Sequence, residues 1–224
     1  MFIEVLIRGS SSCAKESLLW DHRRWLFNRI YKGRLHLSTH DRSRKWTTSS
    51  DLSPLPNIPP DVIKRELSVI RRACESHPRN YHAWTHWHFL MDILHTALFV
   101  HEVFPDLYID ILIQELNALK DWVEHHVSDH SSVFRLCCLG RLFDDLETHP
   151  SCTRRKIFIT NRSLVEHALS LLTAYPSHES LWIYLRDSAI LLPASERHSL
   201  MEEIKSSPLI HSPFSKRFAT LDIV

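Results

Sequence analysis

The sequence predicts an all-α protein, built as a solenoid of antiparallel helical hairpins. Only three of the 224 residues are glycine, which argues against a β-rich fold. Apolar residues recur at three- and four-residue steps, which is the period of an amphipathic helix. Large aromatic residues stand 64, 50 and 48 residues apart at four stations, Trp20, Trp84, Phe134 and Trp182. Such a recurrence is typical of a helical-hairpin repeat that carries one insertion.

The second station is the clearest helix start in the chain. Asn80 suits the cap position, because its side-chain oxygen can accept a backbone N–H of the first turn. Residues at three- and four-residue steps then share one helix face. They are Tyr81, Trp84, Trp87 or His88, Met91, Leu94 and Leu98. A tryptophan four residues after the cap can fill the groove between its own helix and the preceding one.

The remaining elements follow from the same periodicity and from proline positions. Helices are predicted over 14–31, 61–76, 80–100, 106–127, 131–148, 153–174, 179–192 and 195–205. Asp61 is the predicted cap of the second helix, which pairs with the third. The predicted inward-facing residues include Ile30 and Leu107. Short joints between helices favour antiparallel neighbours, so the helices should stack as hairpins.

Three segments are predicted in the domain organisation. Residues 1–13 fit no repeat, and the alternation of Ile3, Val5 and Ile7 could form a strand. Residues 14–192 form the repeat domain, and its loop insertion at 32–60 contains several prolines, which disfavour helix. Residues 193–224 form a short C-terminal helix and a tail that we expect to be loosely held.

The composition excludes several classes of function. A net charge of +1 gives no electrostatic case for binding nucleic acid or a membrane surface. No run approaches the roughly 20 apolar residues that span a bilayer. Neither glycine-rich nucleotide motif occurs. Five cysteines without a CxxC pair or a secretory signal indicate reduced thiols, so we expect a cytoplasmic protein.

Histidine is abundant, with 17 residues, but a metal site is not indicated. His82 and His86 stand four apart on one helix face, which is the spacing of a zinc pair. No HExxH motif accompanies them and no third ligand is evident. We therefore favour the interpretation that these histidines lie on a polar helix face or are core histidines with hydrogen-bond partners. No nucleophile motif is present either, so the chain alone does not have the pattern of a complete enzyme.

Three stations resemble the repeats of protein prenyltransferase alpha subunits. The matching stretches are Asn80-Tyr81-His82-Ala83-Trp84-Thr85-His86, Trp20-Asp21-His22-Arg23-Arg24-Trp25 and Glu179-Ser180-Leu181-Trp182-Ile183-Tyr184-Leu185. Phe134 takes the tryptophan position in a fourth stretch, and the resemblance spans about residues 14–190. It is nearest to a divergent branch of the family, and it implies a right-handed α–α superhelix. Alpha subunits usually carry more than four repeats, so the chain is expected to begin part-way through one.

The resemblance implies the alpha-type, non-zinc subunit of a heterodimer that transfers an isoprenoid from its diphosphate to a cysteine of an acceptor protein. The expected partner is a geranylgeranyl-class beta subunit, such as that of the Rab enzyme. Zinc would lie on the beta subunit, so no metal or other cofactor is expected in this chain. The alternative is a catalytically silent helical-repeat scaffold that binds another protein on its concave face.

The resemblance also implies a site at the start of two repeats. Lys15 and His82 would be the catalytic residues, and Arg79, Asn80 and Tyr81 would lie near the isoprenoid diphosphate. A helix N-terminus and a basic side chain stabilise the charge on a leaving diphosphate. The alternative for these residues is capping and subunit-interface packing.

Two departures from the family pattern bear on this hypothesis. Glu16 replaces the family asparagine beside Lys15. The arginine at position 23 of the first repeat is matched by Trp87 in the second and Cys137 in the third. We interpret these losses as a specialised partner surface or as decay toward a scaffold. Trp20, Trp84, Phe134 and Trp182 are expected to be the structural anchors of the repeats, with the three tryptophans in the core.

Overall fold

The computed structural model describes residues 2–31, 58–77, 79–101, 105–148 and 161–215. Regular structure in these ranges is helical, and none of it is strand. The all-α prediction is therefore confirmed, while the handedness of the superhelix stays a prediction. Most of the predicted loop insertion, 32–57, lies outside the described residues, as does the predicted helix start near Thr153.

The chain divides into two compact units, Met1–Ile111 and Leu112–Val224. The first unit contains α1 (Phe2–Gly9), α2 (Ser11–Ala14), α3 (Ser17–Tyr31), α4 (Pro60–Ser76) and α5 (Tyr81–Thr96), which a π-helical segment, Ala97–His101, extends. Next come α6 (Pro105–His125), which starts before the boundary, and α7 (His130–Thr148), α8 (Asn161–Ala174), α9 (Glu179–Ala189) and α10 (Ala194–Ser206). A 3₁₀ turn, Pro208–His211, ends the described elements of the second unit.

Two helix starts test the predicted caps. Asn80 caps α5, since its Oδ1 accepts the Ala83 N–H at 3.2 Å. The prediction for Asp61 was wrong, because α4 begins at Pro60 and its cap position, Pro59, makes no side-chain capping bond. Proline suits the first helical position, where its missing N–H would have no intrahelical partner. Asp61 lies in the first turn, where the helix dipole favours a carboxylate.

The N-terminal segment is helical, so the possible strand over Ile3 to Ile7 is a further correction. Val5 is 61% exposed and Ile7 is buried. The Glu4 carboxylate accepts a hydrogen bond from Arg8 at 3.1 Å, an i, i+4 ion pair that supports a helix. Helix α1 packs on α3 and α4, which supply the neighbours that an isolated strand would lack.

The core of the first unit lies where α4 and α5 pack together and α3 covers α5. Its largest fully buried side chains include Trp20, Trp87, Leu90 and Ile63. Two predicted inward residues are instead exposed, Ile30 by 66% and Leu107 by 50%, and Tyr81 is 72% exposed. Each stands in the first or last turn of its helix. Periodicity assigns a helix face but not how far the neighbouring helix extends.

The second unit is centred on α9, which packs against α7 and α8. Gly140 of α7 allows a close approach, because a Cβ there would lie 2.6 Å from Cδ1 of Leu164. The described part of the tail, which ends at residue 215, is held more firmly than predicted. Ser212 Oγ donates to the Pro176 carbonyl at 2.7 Å, and Ser215 is buried. None of the described helices has the length and hydrophobicity needed to cross a bilayer.

Candidate functional site

One backbone carbonyl joins the starts of the first two repeats, and among the predicted site residues Asn80 contacts it. The Ala14 oxygen accepts the indole N–H of Trp20 at 2.8 Å and the Asn80 side-chain N–H at 2.7 Å. Asn80 thus caps α5 through its oxygen and holds the segment before α3 through its nitrogen. Lys15, which follows Ala14, therefore lies at the same end of the first unit as the start of α5. His77 strengthens this junction through a ring hydrogen bond to the Ser11 carbonyl.

The residues at this junction differ in what they can offer a ligand. Asn80 is 2% exposed and both ends of its amide are engaged within the chain. Lys15 and Arg79 are exposed, Tyr81 is 72% exposed and His82 is partly exposed. Arg79 has a φ of 64°, a left-handed conformation that is uncommon for a residue other than glycine. The junction therefore combines a structural Asn80 with accessible basic and aromatic side chains.

Replacing Asn80 by alanine should lower the free energy of unfolding by about 2–3 kcal/mol. The cap is worth about 1–2 kcal/mol and the bond to Ala14 about 1 kcal/mol. Urea denaturation followed by far-UV circular dichroism measures the change. Asn117→Ala, at an exposed position inside α6, is the control and should change stability by less than about 0.5 kcal/mol. Equal losses in the two variants would contradict the proposed role of Asn80.

A buried polar cluster lies within the same unit and joins α3, α4 and α5. Arg23 donates to both oxygens of Glu66, from Nε at 2.6 Å and from Nη2 at 2.7 Å. His86 Nε2 lies 2.9 Å from Oε2 of the same carboxylate. All three residues are buried. A two-pronged arginine–carboxylate pair fixes orientation as well as distance, so the cluster sets how the three helices face one another.

Burial and hydrogen bonding act in opposite directions on this cluster. Burial raises the pKa of Glu66, but the hydrogen bonds from His86 and Arg23 outweigh it and lower the pKa overall. Burial lowers the pKa of His86, whose Nδ1 makes no hydrogen bond within the described part of the chain. The neutral imidazole therefore donates its Nε2 proton to Glu66. Its ring contacts those of Trp20 and Phe89, with centroid distances of 5.5 and 5.6 Å.

The cluster places His86 in the core and shows a residue that sequence reasoning missed. His86 is a core histidine whose Nε2 bonds to Glu66. The described residues contain no group of His, Cys, Asp or Glu that could hold a metal ion. Glu66 was missed, although a signal was present. It stands among Ile63, Leu67 and Ile70 on the apolar face of α4, where a charged residue requires a partner.

Acidification should destabilise the first unit in two steps. His86 has a lowered pKa in the fold, so the unfolded state binds more protons once the pH falls below the ordinary histidine value of 6.5. Glu66 also has a lowered pKa, so its contribution is present above the ordinary value of 4.5 and is lost as the pH falls through its folded pKa. Urea denaturation at a series of pH values measures both losses.

The histidine step has its own control. His86→Gln can still donate to Glu66 but does not titrate, so the stability profile between pH 6.5 and 4.5 should become flatter by up to about 1.4 kcal/mol per pH unit. Asn117→Ala, the exposed control in α6, removes no titratable group and should leave the profile unchanged. An unaltered slope in His86→Gln would show that another group carries the acid sensitivity.

The aromatic stations are not equivalent in the structure. Trp20 is fully buried, and Trp84 and Trp182 are 4% exposed. The indole of Trp182 donates to the carbonyl of Pro176 at 2.8 Å, six residues earlier, which repeats the geometry of Trp20 and Ala14. Phe134 differs, because it is 43% exposed while the adjacent Val133 is fully buried. Phe134 is therefore not a buried anchor, and the spacing argument was wrong at this station.

The position three residues after each aromatic station is buried at all four stations. Arg23 occupies it in the first repeat and is 8% exposed. Trp87, Cys137 and Leu185 occupy it in the others and are at most 1% exposed. The losses of arginine are therefore core substitutions, and interpreting them as a specialised partner surface was wrong. Where no glutamate needs neutralising, an apolar side chain can fill the same space.

Comparisons with known proteins agree with these repeat features. Residues 63–94, most of α4 and α5, match the family model for the protein prenyltransferase alpha subunit repeat. The chain is 24% identical over 195 residues to human "Protein prenyltransferase alpha subunit repeat-containing protein 1", covering 75% of this chain and 44% of that protein. It is 27% identical over 194 residues to the Xenopus laevis protein 1-B, covering 75% of this chain and 41% of the relative.

A third relative extends the match along the chain. The Danio rerio protein of the same name as the human one is 22% identical over 216 residues, covering 85% of this chain and 46% of the relative. The chain thus spans less than half of the length of these relatives. The resemblance predicted from the sequence is confirmed: residues 63–94 match the protein prenyltransferase alpha subunit repeat, and most of the chain is similar to proteins named for that repeat.

Proposed function

We propose that this chain is the alpha-type, non-zinc subunit of a heterodimeric protein prenyltransferase. The main observation behind this proposal is the junction at Ala14, where Asn80 holds the starts of two repeats together. Lys15, Arg79 and His82 lie within two residues of Ala14 or Asn80 in the sequence. The repeat match at 63–94 and the names of the relatives support the same role. The partner in this proposal is a geranylgeranyl-class beta subunit of the Rab enzyme type, acting in the cytoplasm.

The junction would contribute to the reaction through charge. As the bond between the isoprenoid carbon and the diphosphate oxygen breaks, negative charge builds on the diphosphate. Lys15 and Arg79 offer cationic donors, and the N-terminus of α5 offers backbone N–H groups and the positive end of its dipole. His82 would donate a hydrogen bond to the same anion. Zinc on the beta subunit would hold the acceptor cysteine as a thiolate.

Lys15→Ala and His82→Ala should each lower the rate of isoprenoid transfer about tenfold to a hundredfold when a competent beta subunit is present. Both side chains reach solvent, so the folding of the chain and its co-purification with the beta subunit should persist. The measurement co-expresses the chain with candidate beta subunits and follows transfer from a labelled isoprenoid diphosphate to a cysteine-bearing acceptor. Lys205→Ala, at an exposed position of α10, is the matched control.

Two outcomes separate the levels of this proposal. Unchanged turnover in both junction variants would reject the site and leave the subunit role standing. A stable complex that transfers no lipid with any beta subunit would favour the alternative, a silent helical-repeat scaffold. One observation favours that alternative. Asn80 is part of the best match to the family motif, but both ends of its amide already make hydrogen bonds within the chain.

A further inference from the structure

A second surface of the first unit is rich in arginine and lies on the outward face of α4. Lys64, Arg65, Arg71 and Arg72 are all exposed there, and we call them the basic stripe. They form two adjacent pairs that stand seven residues apart, close to two helical turns. At 1.5 Å per residue, the centres of the two pairs are about 10 Å apart along the helix. The stripe therefore presents two cationic points on a rigid element.

Two arginines of the stripe pair with carboxylates of the first unit and still remain exposed. Arg65 pairs with Glu4 at 2.6 Å, and Arg72 pairs with Glu75 at 3.1 Å. The Arg65 and Arg72 side chains nevertheless remain 54% and 55% exposed. A guanidinium carries five N–H donors, and each of these ion pairs uses only one or two. Arg8, 43% exposed, adds a further cation beside Glu4 on α1.

We propose that the basic stripe binds an acidic segment of a partner protein, with two pairs of carboxylates about 10 Å apart. Three of its four members are arginine, and the guanidinium fork fits a carboxylate with two parallel hydrogen bonds. This proposal is independent of isoprenoid transfer and of the junction at Ala14. It predicts a docking partner that engages α4 whether or not the chain is part of an enzyme.

The ends of the stripe favour a protein partner over an anionic membrane. Asp61 and Glu75 stand three residues outside the two pairs and are exposed. A lipid headgroup layer would repel both carboxylates, whereas a helix with cations at matching positions would pair with them. Along α4 the stripe is flanked by one acidic residue on each side, and the spacing of the charges is the same when read from either end. A complementary helix could therefore dock parallel or antiparallel to α4.

The test uses the full chain and a synthetic helical peptide as the probe. The peptide carries Lys-x-x-Glu-Glu-x-x-x-x-x-Glu-Glu-x-x-Lys, and a scrambled peptide of the same composition is its control. Fluorescence anisotropy should detect tighter binding of the patterned peptide by about tenfold. Raising the ionic strength from about 0.1 M to about 1 M, which shortens the Debye length from about 10 Å to about 3 Å, should weaken that binding about tenfold or more.

Charge-reversed variants locate the binding surface. Arg71→Glu/Arg72→Glu should weaken binding of the patterned peptide at least tenfold, because repulsion replaces attraction across one pair. Arg162→Glu/Lys205→Glu makes the same total change of charge in the second unit and should alter affinity by less than about twofold. Circular dichroism checks that the charge-reversed variant folds. If it does not, Arg71→Gln/Arg72→Gln replaces it and should also bind the patterned peptide more weakly than the second-unit variant does.

Three results would overturn the proposal. Equal affinity for the patterned and scrambled peptides would reject the spacing. Equal weakening by the two charge-reversed variants would show that net charge alone drives binding. Tighter binding to phosphatidylserine vesicles than to the patterned peptide, lost in Arg71→Glu/Arg72→Glu, would assign the stripe to a membrane surface instead.

Discussion

Glu66→Ala should lower the free energy of unfolding by about 3–5 kcal/mol, which is a large part of the 5–15 kcal/mol that stabilises a typical domain. The substitution leaves the Arg23 guanidinium in a buried position without its carboxylate and removes the partner of His86 Nε2. Urea denaturation monitored by far-UV circular dichroism gives the change. Glu75→Ala removes an exposed acid of the same helix and should cost less than about 1 kcal/mol.

The loss in Glu66→Ala should come from the stranded cation and not from the absence of an ion pair as such. A triple variant, Arg23→Leu/Glu66→Leu/His86→Phe, removes every polar member and should therefore be more stable than the single variant. The other repeats support this expectation, because apolar side chains such as Leu185 fill the position of Arg23 there. A triple variant less stable than Glu66→Ala would show that the ion pair itself stabilises the fold.

Trp20→Ala should also cost about 3–5 kcal/mol, through the cavity left by a fully buried ring and the loss of its hydrogen bond to Ala14. Thermal and urea denaturation both report the loss. Trp25→Ala is the matched control on the same helix, because Trp25 is 57% exposed, and its cost should stay below about 1 kcal/mol. Similar losses in the two variants would contradict the anchoring role of the first station.

The helices could be predicted because the information that places them is local. Asn80 and the apolar steps after it define α5 within a few residues, and the structure has that helix at Tyr81–Thr96. Local patterns also misled. Alternation over Ile3, Val5 and Ile7 fits a strand, yet contacts with α3 and α4 accompany a helix there. The exposure of Ile30 depends on how far the neighbouring helices extend, which the residue's own pattern does not contain.

The candidate site divides in the same way. Resemblance to the family motif brought Lys15, Asn80 and His82 into consideration together, and the Ala14 carbonyl then explains why their repeats meet. The partnership of Arg23 with Glu66 could not be predicted, since 43 residues separate them in the chain. Only the folded arrangement of α3, α4 and α5 brings the two charges within hydrogen-bonding distance.

The shared Ala14 carbonyl has a consequence for how this protein tolerates changes of length. Both of its donors, the Trp20 indole and the Asn80 amide, reach a main-chain atom, so the alignment of two neighbouring repeats depends on where the backbone lies at position 14. The six-residue step from Ala14 to Trp20 is therefore fixed by geometry. An insertion or deletion between Ala14 and Trp20 should therefore break the indole hydrogen bond and shift the first repeat relative to the second.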